Sequence, residues 1–122
     1  MVRRVLLIED EANIAEAIRF LLTRDGYSVE IRQDGRAALA AVSQMLPDLV
    51  ILDLMLPGLS GLEVLAELRA DPATAALPVL MLTAKGQGRD REAAELAGVS
   101  AFMAKPFDNS EMRAAVRALI GG

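Results

Sequence analysis

The sequence predicts a doubly wound α/β sandwich, (βα)5, built on a five-stranded parallel sheet, and three observations carry that prediction. Short apolar runs recur at Val5-Leu6-Leu7-Ile8, Leu49-Val50-Ile51-Leu52 and Val79 to Leu82. Runs this short and without alternation mark strands buried on both faces of a parallel sheet. Between them lie stretches with apolar residues at helical spacing, and regular strand-helix alternation calls for helices on both faces of the sheet. Finally, charge gathers where runs end: Glu9 and Asp10 after the first, Asp53 after the second, and Lys105 after Ala101-Phe102-Met103-Ala104. Open α/β sheets bind their ligands just beyond those carboxyl ends.

Each element follows in order. Behind the first strand, Ile14, Ala17, Ile18, Leu21 and Leu22 keep helical spacing, with Asp10 or Glu11 available as the cap and Gly26 suited to the position after the helix. From Tyr27 to Arg32 apolar and polar residues alternate, which predicts a half-buried edge strand. A helix from Gly35 to Met45 ends at Pro47-Asp48, and the third strand follows. Pro57-Gly58-Leu59-Ser60-Gly61 forms a loop into a helix over Leu62 to Ala70, stopped by Asp71-Pro72. The fourth strand runs from Val79 to Leu82 and ends in Thr83.

A polar Gly86-Gln87-Gly88-Arg89 loop leads to a short helix reaching about Ala97, with Gly98 as its stop. That helix offers mostly alanine and the single Leu96 to a core, so it is expected to be the most mobile element. The fifth strand reaches Ala104. The last helix, Asp108 to Ile120, presents Met112, Ala115, Val116, Leu119 and Ile120 on one stripe, and Gly121-Gly122 closes the chain.

A chain of 122 residues with 53% hydrophobic content forms one domain with an ordinary core. Its 13 basic against 17 acidic residues, a net charge of -4, argue against a direct nucleic-acid footprint. Cysteine and histidine are both absent, which excludes disulfides, thiolate or imidazole metal sites and a Ser-His triad. Whatever chemistry occurs uses carboxylates, hydroxyls and lysine. The apolar stretch after Met1-Val2-Arg3-Arg4 is too short for a signal-peptide core, and no run approaches a membrane span, so a cytoplasmic protein is expected.

If the first and third strands are neighbours, as in the sheet order 2-1-3-4-5, then Glu9, Asp10 and Asp53 converge. Two carboxylates about 4 Å apart repel by roughly 4 kcal/mol at an effective dielectric near 20, so three together must gain a proton or recruit a cation. Mg²⁺ fits, since it prefers one or two carboxylates, water and phosphate oxygens. Asp53 is placed to be a metal ligand and also a nucleophile toward phosphorus, with Thr83 and Lys105 supplying a hydroxyl and a cation for phosphoryl oxygens. Taken singly, Asp10 reads equally as a helix cap, Asp53 as a turn residue and Lys105 as a surface lysine; their coincidence is what reads as a site.

Glu9-Asp10, Asp53 with Leu54-Met55-Leu56-Pro57-Gly58 and Gly61, Thr83-Ala84, and Lys105-Pro106-Phe107 strongly resemble the receiver domains of two-component response regulators. The resemblance covers essentially all of residues 1–122, as one receiver domain. It implies a flavodoxin-like sheet, Mg²⁺ held by Glu9, Asp10, Asp53 and the Met55 backbone carbonyl, and phosphoryl transfer to Asp53. It further implies that Lys105 pairs with the phosphoryl group, that Thr83 hydrogen-bonds it, that Ala84 leaves space, and that Phe102 is the switch aromatic. Lys105-Pro106 is implied to be a cis peptide.

The implied partners are a histidine kinase or histidine phosphotransfer protein and a downstream protein or output domain, with no nucleic-acid or membrane contact of its own. A receiver catalyses its own phosphorylation and slow dephosphorylation, yet is a switch first, with output through the fourth helix, fifth strand and last helix. Met55 and Lys85 look like the variable positions that tune phosphate lifetime.

Where receivers that dimerise ahead of winged-helix domains usually carry an acidic pair, this sequence reads Gly98-Val99-Ser100-Ala101. An aspartyl-phosphate phosphatase would want a second acid two residues after the nucleophile, where Met55 stands. A phosphorylation-independent interaction domain is the alternative reading, and an FMN module fits poorly with the acidic Glu9-Asp10-Glu11 loop. Gly86-Gln87-Gly88 reads as a flexible loop rather than a dinucleotide motif, the Met residues mainly as core, and Arg113 and Arg117 as a solvated face.

Overall fold

A computed structural model of the chain describes residues 2–84 and 88–120; Lys85, Gly86, Gln87, Gly121 and Gly122, to which the sequence assigns roles above, lie outside the described residues. The elements are β1 (Arg4–Ile8), α1 (Ala12–Arg24), β2 (Ser28–Arg32), α2 (Gly35–Met45), β3 (Leu49–Asp53), α3 (Gly61–Ala70), β4 (Val79–Ala84), α4 (Gly88–Leu96), β5 (Ala101–Lys105) and α5 (Asn109–Ile120). All strand pairs are parallel, and the sheet order is β2-β1-β3-β4-β5. The fold is the expected doubly wound sandwich.

The unbroken apolar runs are explained by two cores. Leu6, Ile8, Val50, Leu52, Val79 and Met81 face one side, against Ala38, Ala41 and Val42 of α2 and Val64, Leu65 and Leu68 of α3. Val5, Leu7, Leu49, Ile51, Leu80 and Leu82 face the other, against Ala15, Ile18 and Leu22 of α1 and Met112 and Val116 of α5. Side chains alternate across a strand, so burying both faces removes any period from the sequence. β2, at one edge, keeps its alternation, with Ser28 and Glu30 exposed and Val29 and Ile31 half-buried.

Helix starts differ from expectation in informative ways. Glu11 occupies the cap position of α1, but its side chain makes no capping bond. α3 opens with a capping box: Ser60 accepts from the Glu63 N–H, and the Glu63 carboxylate accepts from the Ser60 N–H. Gly26, at φ 94°, does follow α1 in the left-handed conformation.

α4 corrects one expectation. Its core contact is Ala94, which is fully buried, whereas Leu96 is 90% exposed. Two residues along a helix is a rotation of about 200°, which turns Leu96 away from the face Ala94 presents to the core. Arg113 is likewise not merely solvated: its guanidinium makes two 2.8 Å hydrogen bonds to Asp25, tying α5 to the end of α1. Those bonds raise the Arg113 pKa.

In the α4–β5 turn, where the sequence lacks an acidic pair, Ser100 Oγ accepts from the Val79 N–H at 2.9 Å and from Arg69 at 3.3 Å. Arg69 also donates to the carbonyls of Gly98 and Thr74, and its burial lowers its pKa.

Candidate functional site

The strand order sets the site. β1 and β3 are neighbours in register, Ile8 beside Leu52, so Glu9 leaves β1 next to Asp53 at the end of β3. Glu9, Asp10 and Asp53 each offer a carboxylate oxygen, and these oxygens all lie within 4.8 Å of one another. Glu9 is fully buried, Asp53 is buried, and Asp10 is exposed, so the cluster has a closed floor and an open rim.

Lys105 ends β5, two strands from β3, and its long stem crosses that interval. Nζ donates to Glu9 Oε1 at 2.7 Å and to Asp53 Oδ2 at 3.1 Å, so one ammonium bridges two of the three carboxylates. Backbone donors complete the pattern: the Glu11 N–H reaches Glu9 Oε2 at 3.2 Å and the Met55 N–H reaches Asp53 Oδ1 at 3.2 Å. The Lys105-Pro106 peptide is cis.

The electrostatics follow from three acids facing one base. Burial, followed by the hydrogen bond with Asp53, raises the Glu9 pKa from 4.5 to about 7, outweighing the pull of Lys105 and of the Glu11 N–H. Burial also works to lower Lys105, but the hydrogen bonds to Glu9 and Asp53 prevail and leave its pKa raised. Hard oxygen donors, excess negative charge and an exposed rim for water are the surroundings Mg²⁺ takes. Glu9, Asp10 and Asp53 fit that ion.

Thr83 is buried on β4, one residue beyond Leu82, the partner of Asp53, and it pairs in register with Ala104. Its hydroxyl lies 3.4 Å from the Ala84 carbonyl. Phe102 stands apart from the carboxylates: its half-buried ring packs on the core shared with α2 and α3, with the Arg91 guanidinium of α4 5.5 Å from the ring centre. Arg91 also pairs with Glu95 at 3.2 Å.

Sequence reading therefore located Glu9, Asp10, Asp53 and Lys105, which the structure brings together, but not the contact of Lys105 with Glu9 or of Arg91 with Phe102. No local pattern encodes either. Met55, whose N–H reaches Asp53, is 65% exposed. A groove of about 470 Å³ lined by Lys105 together with Ile14, Ile18, Leu21 and Phe107 includes none of the three carboxylates among its lining residues.

Comparison with known proteins gives a consistent result. The model of the response regulator receiver domain matches residues 5–117. The DNA-binding dual master transcriptional regulator RpaA of Synechocystis sp. is 44% identical over 117 residues, 96% of this chain and 48% of RpaA. The chain spans about half the length of the curated relatives it matches. Among solved structures, a signal receiver domain of a signal transduction histidine kinase from Syntrophus aciditrophicus superposes with TM-score 0.92 at 29% identity, over 99% of this chain and 92% of that one. The chemotaxis response regulator CheY4 of Vibrio cholerae gives 0.91 at 26% identity, over 98% of this chain and 99% of that one.

Proposed function

The chain belongs to the receiver domains of two-component response regulators, and from that premise we propose that it is a phosphorylation-controlled switch with Asp53 as phosphoacceptor. The observation that carries this reading is the single ammonium of Lys105 bridging Glu9 and Asp53 at the carboxyl end of the sheet. Held by Lys105 Nζ on one oxygen and by the Met55 N–H on the other, the Asp53 carboxylate is fixed in direction. The partner is a histidine kinase or histidine phosphotransfer protein, which would place the domain in the cytoplasm.

In the transfer, an Asp53 oxygen forms a bond to phosphorus while the phosphorus–nitrogen bond of the donor phosphoimidazole breaks, its electron pair leaving with the ring nitrogen. Glu9, Asp10, Asp53 and the Met55 carbonyl would hold Mg²⁺, which when bound would supply neutralising charge for the phosphoryl oxygens. Lys105 is already within reach of Asp53 and can shift from carboxylate to phosphoryl oxygen without crossing the site. The Thr83 hydroxyl donates to another of those oxygens. Hydrolysis reverses the state: a water oxygen bonds to phosphorus as the bond from phosphorus to the Asp53 oxygen breaks, its electron pair returning to the carboxylate, and inorganic phosphate and a proton leave to solvent.

Movement of Thr83 toward the phosphoryl group draws Phe102 inward, and because Arg91 lies against that ring, α4 follows β5. The output is then a population shift in α4, β5 and α5. RpaA is named as DNA-binding and is about twice as long; with a net charge of -4, this stretch is read as the control element and not the DNA contact.

The test is intact mass after incubation with acetyl phosphate, with and without Mg²⁺, on wild type and Asp53→Asn. One phosphoryl adduct that needs both Mg²⁺ and Asp53 is the expected result. Failure to bind either acetyl phosphate or beryllofluoride would leave a phosphorylation-independent interaction domain as the better reading.

A further inference from the structure

The β3–α3 loop, which carries Met55, is seated on bare backbone at two places. At its end, the Gly61 N–H donates to the Leu54 carbonyl at 3.0 Å, and a Cβ on Gly61 would fall against the Asp53 carbonyl oxygen. Midway, the loop crosses the first residue of α2. A Cβ built on Gly35 would land on the Leu59 carbonyl oxygen and stand 2.7 Å from its carbon and 2.9 Å from Leu59 Cβ. Real methyl groups do not approach so closely. The Gly35 N–H also points to the Pro57 carbonyl at 3.5 Å.

Glycine at this position is not required by its own conformation, since φ there lies outside the left-handed range. A glycine inside a helix weakens it relative to alanine, so what the position selects is empty space. Of the two partners, the helix is the firmer. Asp34 caps α2 by accepting from the Ala37 N–H at 2.8 Å, and Ala38, Ala41 and Val42 are locked in the core. The loop is held by half-buried Leu56 and Leu59, while Met55, Pro57 and Gly58 are exposed around it. An added methyl would displace the loop.

We infer that Gly35 is a positioning residue for the metal and phosphoacceptor site, setting where the loop holds the Met55 carbonyl and the Met55 N–H that braces Asp53 Oδ1. The inference rests on the reading of the site given above. Mg²⁺ demands near-ideal ligand geometry, and displacement by roughly an ångström is large on that scale. Groups one step behind metal ligands typically change metal affinity by about tenfold or more when altered.

The experiment is calorimetric Mg²⁺ titration of the whole chain, beside urea unfolding in EDTA, for wild type, Gly35→Ala and Ala38→Gly. Ala38→Gly weakens the same helix without adding an atom where Leu59 crosses it. The expected result is about tenfold weaker Mg²⁺ binding for Gly35→Ala and unchanged binding for Ala38→Gly, although both lose stability. Mg²⁺ affinity within twofold of wild type in folded Gly35→Ala would overturn the inference. If that variant does not fold, Leu59→Ala, which loosens the same seat without adding an atom, must weaken Mg²⁺ severalfold, and unchanged affinity overturns it equally. Absence of Mg²⁺ binding by wild type would instead overturn the site reading itself, and Gly35's role with it.

Discussion

Replacing Glu9 by glutamine should remove most of the pH dependence of stability between about pH 4.5 and pH 7 in the metal-free protein, the interval between the ordinary and the shifted Glu9 pKa. Burial raises that pKa, so the folded chain holds a proton on Glu9 that the unfolded chain has already released. Protons then stabilise the folded state: the contribution is complete below the unfolded value, declines as pH rises through the interval, and is gone above about 7. At about 1.4 kcal/mol per pKa unit the full interval corresponds to about 3 kcal/mol, and solvent at the exposed Asp10 rim reduces it to about 1–3 kcal/mol.

Glutamine keeps the shape, can accept from Lys105 and can donate to Asp53, but cannot ionise. Urea unfolding in EDTA across that pH range is the assay. Wild type should lose stability toward neutral pH, Glu9→Gln should stay nearly flat and exceed wild type above pH 7, and Mg²⁺ should restore wild type alone. Parallel curves for the two proteins would refute the argument, because they would assign the titration to another group.

Lys105→Met leaves Glu9 and Asp53 buried without a counter-charge, so urea unfolding in EDTA above pH 7 should show a loss of about 2–3 kcal/mol, the 18% exposure of the lysine side chain moderating a larger penalty. That loss should shrink when Mg²⁺ is added. On α4, Leu96→Ser should change stability by less than about 0.5 kcal/mol, whereas Ala94→Val should cost about 1–3 kcal/mol by overpacking, and denaturant melts of both separate the outward face from the inward one.

The positions of the ionisable site residues were legible because each stands where an apolar run ends. Glu9, Asp10, Asp53 and Lys105 need only strand boundaries to be recognised, and the family resemblance added order and spacing. The capping box of α3 was also readable, since Ser60 and Glu63 stand three apart, although the expectation placed only a loop there. Leu96 was misassigned because a helix with one large apolar residue has no stripe from which to read its facing. Gly35 carried no signal beyond its place after Asp34, because the atom that makes it necessary belongs to Leu59.

The sequence by itself determined the alternation of elements, the double burial of the central strands and the ends at which charge collects, because each follows from contacts within a few residues along the chain. Only the tertiary structure decided which charges meet. Lys105 and Glu9 are 96 residues apart, and their 2.7 Å bond exists because β1, β3, β4 and β5 lie in that order in one sheet. The fit of Leu59 over Gly35, the Arg91 contact with Phe102 and the Arg113 tie to Asp25 are of the same kind. Local periodicity constrains which face a residue presents, while the partner on that face is fixed only when the whole sheet and its helices are packed.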